Sequence, residues 1–407
     1  LLGRFPFAEF GLDVSDLVEL LTHSPDRASA LLHALLEVGR QYALQEEHFL
    51  RAALRSYQEL HENYFQELED AAAEFAHHYS LEAIPVRYTT LEQLIRQKFS
   101  YQLDDTRLIN DPALSTYRSV FVNGSKPRLF INAALYPHQV KFLLAREMGY
   151  QYLGLKERSN TSSPDHVDSF QQVFNDFKAS YFAGALLMPQ PRLLADLQTF
   201  FQFPTWNRWL LLEMLPRYDV TPEMLLYRFS ELIPQFFGVR LHFLRVHDVN
   251  GEYRLIKQLN MSRVLLPGGL AVDEHFCRRW LVVRLLRELA AGAGLDGPVV
   301  GAQISEFLES HERFLCFGFA RPLVLSPNVA SSVIAGFRLD SNLKQAIQFA
   351  DDPAIPRLII NETCERCPLT ADQCSLRGAQ SRVLAASKRR MERRMALDQL
   401  VAQFGRQ

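Results

Sequence analysis

The chain predicts a helix-rich α+β protein, and three observations carry that prediction. Apolar residues recur at helical spacing through residues 25–79, short β-branched runs bracket an Asn-Gly pair ahead of further helices, and the texture turns to strands beyond residue 236. At 407 residues there is chain enough for two or three domains with full cores. The expected divisions are a helical connector or dimerisation segment over 1–67, a mixed α+β domain over 68–235 and a C-terminal α+β domain over 236–407. A hydrophobic share of 48%, a charged share of 22% and a formal charge of -2 are those of an ordinary globular protein, with no global field directed at nucleic acid or membrane. No uncharged apolar run approaches the roughly 18 residues that span a bilayer. The start, Leu1-Leu-Gly-Arg-Phe5, has neither an export signal nor an initiator Met, so a cytoplasmic protein with a segment missing upstream is expected.

The elements follow in order. Leu31, Leu32, Leu35, Leu36 and Val38, then Phe49, Leu50, Ala53 and Leu54, then Tyr57, Leu60 and Tyr64 mark two or three long helices, with Pro25-Asp26 as a start signal. Such helices suit a dimer contact or a plain layer over the core. Tyr117 to Asn132 reads as a hairpin turning at Asn123-Gly124. Pro137 seeds the next helix, Phe170 to Met188 form another that ends at Pro189, and a pair follows at Trp206 to Leu215 and Thr221 to Ile233. Thr221 is an N-cap with Pro222 at the first helical position. Val239 to Val246 alternates as a strand and turns at Asn250-Gly251 into a second. Asp273 is expected to open an amphipathic helix running to Leu289, Arg313 to Ala320 a buried strand, and Ser381 to Gln403 the last helix.

The segment Phe142-Leu-Leu-Ala-Arg146-Glu147-Met-Gly-Tyr150 carries the most chemistry. In an H-E-x-x-H helix two histidines one turn apart grip zinc and the glutamate beside the first is the general base. Here Glu147 remains, but the ligand positions hold Arg146 and Tyr150. Arginine has no lone pair to give, and a phenol with a pKa of about 10 is a poor stand-in for imidazole. No P-loop, dinucleotide fingerprint or G-x-S-x-G elbow occurs, and the twelve histidines show no ligand spacing.

Asp176-Phe-Lys-Ala-Ser-Tyr-Phe-Ala-Gly-Ala-Leu-Leu-Met-Pro189, taken with the hairpin and the Glu147 helix, resembles the ImmA/IrrE-type metallopeptidase family over roughly 68–235. In that family the acidic residue at the Asp176 position completes the zinc site, so the resemblance implies a vestigial site of Arg146, Glu147, Tyr150 and Asp176, with no zinc there and no catalytic residue. With Glu147 and Asp176 facing one another, Arg146 is expected to replace the metal's positive charge by bonding one carboxylate or both; the alternative is that Arg146 points to solvent and Glu147 is an exposed helical residue. Phe49-Leu-Arg-Ala-Ala-Leu-Arg-Ser-Tyr-Gln-Glu-Leu-His-Glu-Asn-Tyr-Phe65 and Cys364-Glu-Arg-Cys367 further resemble the bacterial short-chain fatty acyl regulators. That implies an XRE-type helix-turn-helix domain upstream, the only route to DNA, and an acyl-CoA effector whose phosphates could meet Arg146, Arg118 and Lys126.

Cys364-x2-Cys367-x6-Cys374 has the spacing of a metal knuckle. Cys316 is the expected fourth ligand and Cys277 a core thiol. Zinc is expected, with an iron–sulfur cluster or reduced thiols as alternatives. The run Lys388-Arg-Arg-Met-Glu-Arg-Arg394 reads as a solvated helix face ahead of a contact to DNA phosphate. The resulting expectation is a non-enzymatic sensory and oligomerisation portion of a transcriptional regulator that pairs with itself and avoids membranes. The alternatives are a metal-dependent peptidase that cleaves a repressor and a purely structural module.

Overall fold

The computed structural model describes residues 9, 46–124, 126–161, 167–264, 274–294, 297–326 and 328–404. The helix start at Pro25 and the apolar positions Leu31 to Val38 lie outside these residues, as does most of the 1–67 segment. Helices and strands are both abundant, so the fold is mixed α+β and helix-rich. Among the described residues no helix is long and apolar enough to cross a membrane.

Among the described residues three helices lead in: α1 (Glu46–Leu60), α2 (Gln66–His78) and α3 (Tyr88–Gln97). Leu50 and Ala53 of α1 and Leu68, Ala72 and Phe75 of α2 are buried, the positions the helical spacing selects. A small sheet follows, built from β1 (Gln102–Asp104), β2 (Ser119–Val122) and β3 (Arg128–Ile131), with the short α4 (Arg107–Asn110) between β1 and β2. Strands β2 and β3 pair antiparallel with Val120 opposite Phe130, but residues 123–127 join them instead of a two-residue turn. Pairing stops at Val122 and Arg128, which leaves Asn123-Gly124 inside a longer loop. β1 adds in parallel to the far side of β3, a contact three residues cannot announce by alternation.

Helices α5 (Pro137–Tyr152) and α6 (Phe170–Leu187) pack closely. A Cβ at Gly149 would lie 2.9 Å from Phe182 Cδ1 and 3.2 Å from the Ala179 carbonyl, so only glycine permits this approach. Then come α7 (Gln190–Gln202), α8 (Arg208–Tyr218) and α9 (Pro222–Phe237). Thr221 Oγ1 caps α9 by accepting from the Met224 amide at 3.3 Å, and Gly238 ends it at φ 65°.

The second sheet has six strands: β4 (Leu241–Val249), β5 (Glu252–Asn260), β6 (Val299–Phe307), β7 (Arg313–Pro322), β8 (Val329–Arg338) and β9 (Arg357–Ile360), ordered β5-β4-β8-β7-β6-β9. Only β6 and β9 run parallel. Asn250 and Gly251, at φ 56° and 88°, make the turn between β4 and β5 that the Asn-Gly pair predicts. The sheet is covered on both faces. Leu241, Phe243, Leu315, Phe317 and Phe319 face a core shared with the preceding helices, and α9 packs on β4 and β8 there. Leu244, Val246, Phe314 and Cys316 face a second core closed by α10 (Leu281–Ala290). That helix is shorter than the Asp273 to Leu289 span: residues 274–280 are described and not helical, and Phe276 bridges Thr363 across from them. α11 (Ser341–Ala346) and α12 (Arg382–Phe404) complete the chain.

One ion network ties the helical layers together. Arg228 of α9 donates to both oxygens of Glu69 on α2 at 2.6 and 2.7 Å, to Glu231 at 2.8 Å and to the Met188 carbonyl at 3.2 Å. Tyr181 of α6 donates to Glu69 at 2.7 Å. Arg228 is 1% exposed, so every hydrogen bond it makes replaces one to water. Arg228→Ala would strand two carboxylates in the core, and guanidinium denaturation should show a loss of about 3–5 kcal/mol; an unchanged midpoint contradicts the role given to this network.

Candidate functional site

Arg146 and Glu147 are neighbours on α5 with Tyr150 one turn further on, and all three are buried to within 3% of full enclosure. Asp176 approaches from α6. Its Oδ1 accepts from the Arg146 guanidinium and from the Tyr150 hydroxyl, the latter at 2.7 Å. Burial pushes the Tyr150 phenol pKa up, against a weaker pull from Arg146 and Arg158, which keeps the proton on the phenol. Glu147 does not meet Arg146 in this way. Both of its oxygens are taken by Arg158, at 2.7 and 2.6 Å, and Tyr101 donates to Oε2 at 3.2 Å. The Arg158 guanidinium is sandwiched between Phe121 and Tyr150, 3.8 and 3.9 Å from the ring centres. Two carboxylates are thus held by two guanidinium groups, one pair on each side of Tyr150. Arg158 sits in a polar loop with no motif around it, and nothing in the sequence singles it out.

A cavity of about 200 Å³ lies between this helical layer and the six-stranded sheet. Arg118, ahead of β2, reaches into it, as do Arg245 of β4, Lys257 of β5 and Arg321 of β7. Leu135, Phe142, Leu143, Met188, Met224 and Phe243 supply an apolar wall. Glu223 pairs with Arg321 at 2.8 Å; burial raises the Glu223 carboxyl, but Arg321 and Arg245 outweigh it and hold the pKa at about 2. Among the described residues Arg118, Arg245 and Lys257 have no carboxylate within ion-pair reach. Burial, reinforced by Arg245, pushes Arg118 down to about 10, and burial pushes Lys257 down to about 8. Arg245 and Lys257 are direct cross-strand partners, an arrangement of like charges that destabilises a bare sheet. A signal for these residues does exist in the sequence: Arg245 continues the Leu241, Phe243 series and Arg321 the Leu315, Phe317, Phe319 series, so both point to a core face. Of the three basic residues expected to meet a ligand, only Arg118 lines the cavity; Arg146 is bound to Asp176 and Lys126 is exposed elsewhere.

The cysteines also need one correction. Cys316 lies on β7 with its sulfur 3.9 Å from His242 Nε2, buried and with a pKa pushed up to about 12 by desolvation. It belongs to the sheet core. Cys277 lies beside the Phe276–Thr363 bridge instead of on a helix, on the strand-like stretch that pairs with the segment leading into Cys364. The Cys277 amide donates to the Glu362 carbonyl at 3.2 Å, and the Cys364 amide to that of His275 at 2.9 Å. The Gly378 amide points at Cys364 Sγ, 3.3 Å away, and Arg377 braces the Cys364 and Cys367 carbonyls at 2.7 and 3.3 Å. Among the described residues no group of three or more His, Cys, Asp and Glu side chains converges as a metal site.

Residues 105–230 match the family described as the IrrE N-terminal-like domain, Peptidase_M78. No curated protein matches the chain. Among solved structures, a Mycobacterium tuberculosis transcriptional regulator is similar over 82% of this chain and 94% of that one, at 17% identity and a TM-score of 0.55. At that identity the likeness is one of fold.

The peptidase-like family implies zinc, and the donor set does not suit it. A guanidinium fills the space beside Asp176, the phenol donates to the same carboxylate, and a single carboxylate is left where three ligands are needed. Restoring imidazoles should restore the ion. The double variant R146H/Y150H is expected to gain one zinc equivalent over the parent by mass spectrometry of the dialysed protein. Equal zinc content in both, or loss of an equivalent from the parent on Asp176→Asn, contradicts this assignment.

Proposed function

We propose that this chain is the sensory portion of a transcriptional regulator in which a peptidase-like domain has become a non-hydrolytic scaffold, and that it binds a short acyl compound with an anionic end. The cation-lined cavity carries this reading. Three cations with no carboxylate in ion-pair reach, beside the Glu223–Arg321 and Glu231–Arg228 pairs, repel one another until an anion enters, and the apolar wall opposite suits a short hydrocarbon. At about 200 Å³ the cavity holds an acyl chain and one charged group, and the nucleotide of an acyl-CoA would remain outside it. Because Arg118 comes from the peptidase-like layer and Arg245, Lys257 and Arg321 from the sheet, occupancy biases how these layers meet. That bias would pass to the N-terminal helices, to a partner copy and to a DNA-binding domain upstream. The peptidase alternative needs Glu147 free to activate water, and Arg158 holds both of its oxygens.

Calorimetric titration with butyryl-CoA, coenzyme A and butyrate tests the effector and separates the thioester from the free acid. Arg245→Ala should weaken the productive ligand at least tenfold; no binding by any acyl compound removes the effector. The pH dependence has a definite sign. Lys257, near 8 in the empty cavity, faces Tyr227, Glu231 and Arg245, and Glu231 is pushed up to about 8 by burial. An anion raises the Lys257 pKa, so affinity should be flat below pH 8 and fall above it, as Lys257 loses its charge and Glu231 gains one. Affinity rising from pH 8 to 9.5 contradicts the cavity assignment.

A second proposal concerns the cysteines. The Gly378 amide donates to Cys364 Sγ, and we infer that Cys364, Cys367 and Cys374, with Cys277 in place of Cys316, take up zinc or an iron–sulfur cluster after a local closing of the loop. Anaerobically purified protein should carry one equivalent of zinc, or iron with visible absorbance, that Cys277→Ser loses and Cys316→Ser keeps. The reverse pattern sinks the exchange of ligands.

A further inference from the structure

The last helix, α12, is placed in a way its sequence alone does not convey. Every residue from Ser387 to Met395 is exposed, more than two full turns with no side packed against the body. Lys388 pairs with Glu392 at 4.0 Å. Among the described residues Arg389, Arg390, Arg393 and Arg394 have no acidic partner. At ~100° per residue these four fall within an arc of about 140° on one face. They also form two like-charged pairs four residues apart, Arg389 with Arg393 and Arg390 with Arg394, which weaken a free helix. A polyanion laid along this face would offset that repulsion.

We propose that this arginine face docks on the phosphate backbone of duplex DNA, as a contact separate from any helix-turn-helix domain. Guanidinium groups match phosphate bidentately, and four on one face of a projecting helix can follow a strand of phosphates without reading bases. A membrane surface fits less well. Between Ser387 and Met395 the apolar side offers only Met391 and Met395, without the Trp, Phe or Leu that seat a helix among lipids. The contact does not depend on the acyl cavity, so either can fail alone.

Fluorescence anisotropy with the full chain and a 25-base-pair duplex of mixed sequence, between 25 and 200 mM salt, tests it. Neutralising four phosphates should steepen the dependence of log affinity on log salt by about 3.6. The quadruple variant R389Q/R390Q/R393Q/R394Q should lose that increment and bind at least tenfold more weakly at 50 mM, with circular dichroism and the acyl titration unchanged. A second duplex of unrelated sequence should bind equally. No binding at the lowest salt, an unchanged slope in the variant, or capture by phosphatidylserine vesicles but not by duplex overturns the proposal.

Discussion

Two buried guanidinium–carboxylate pairs stand at the centre of the peptidase-like layer, and the rest of its geometry depends on them. Glu147 is 2% exposed, and Asp176 opens only partly to solvent. Two acids so placed repel one another and lose hydration, and a cation must offset both costs. Where zinc would do this with one ion, the chain uses Arg146 for Asp176 and Arg158 for Glu147. Tyr150 serves both, since its hydroxyl bonds Asp176 and its ring face carries Arg158. The glycine at 149 lets α5 and α6 approach closely enough for the pairs to form. The face of α5 that carries Arg146, Glu147 and Tyr150 is thus built from ion pairs and a phenol.

The same chemistry runs in opposite senses at two neighbouring places. Around Arg228 the carboxylates outnumber the guanidinium, and burial resolves the excess by raising Glu231. In the cavity it borders the cations outnumber Glu223 and Glu231, and burial lowers Arg118 and Lys257. One network is closed and locks α2, α6 and α9 together. The other is left open at the junction with the sheet, where a missing negative charge can be supplied from outside.

Much of the fold was legible in the sequence, because long amphipathic helices and buried alternating strands announce themselves by period. Thr221-Pro222 marked the start of α9, and Asn250-Gly251 the hairpin between β4 and β5. The reading failed where tertiary contact decides. The stretch before Leu281 looked helical by its spacing, yet it bridges Thr363 instead. Asn123-Gly124 lies in a loop because pairing ends before it. At the site, the charges of Arg146 and Asp176 anticipated the ion pair that the structure shows. Arg158 could not be found, since a loop arginine carries no period. That Cys316 would lie against His242 in the sheet core could not be read from distance along the chain. Arg245 and Arg321 were discoverable, being charged residues in register with core positions.

The central claim is that side-chain cations have replaced a metal beneath Tyr150. Its most direct test is anomalous X-ray scattering across the zinc edge from crystals grown with zinc present. The account predicts no anomalous peak near the Asp176 carboxylate, with the Arg146 guanidinium in density beside it. A peak within bonding distance of Asp176, with Arg146 turned away, would contradict it.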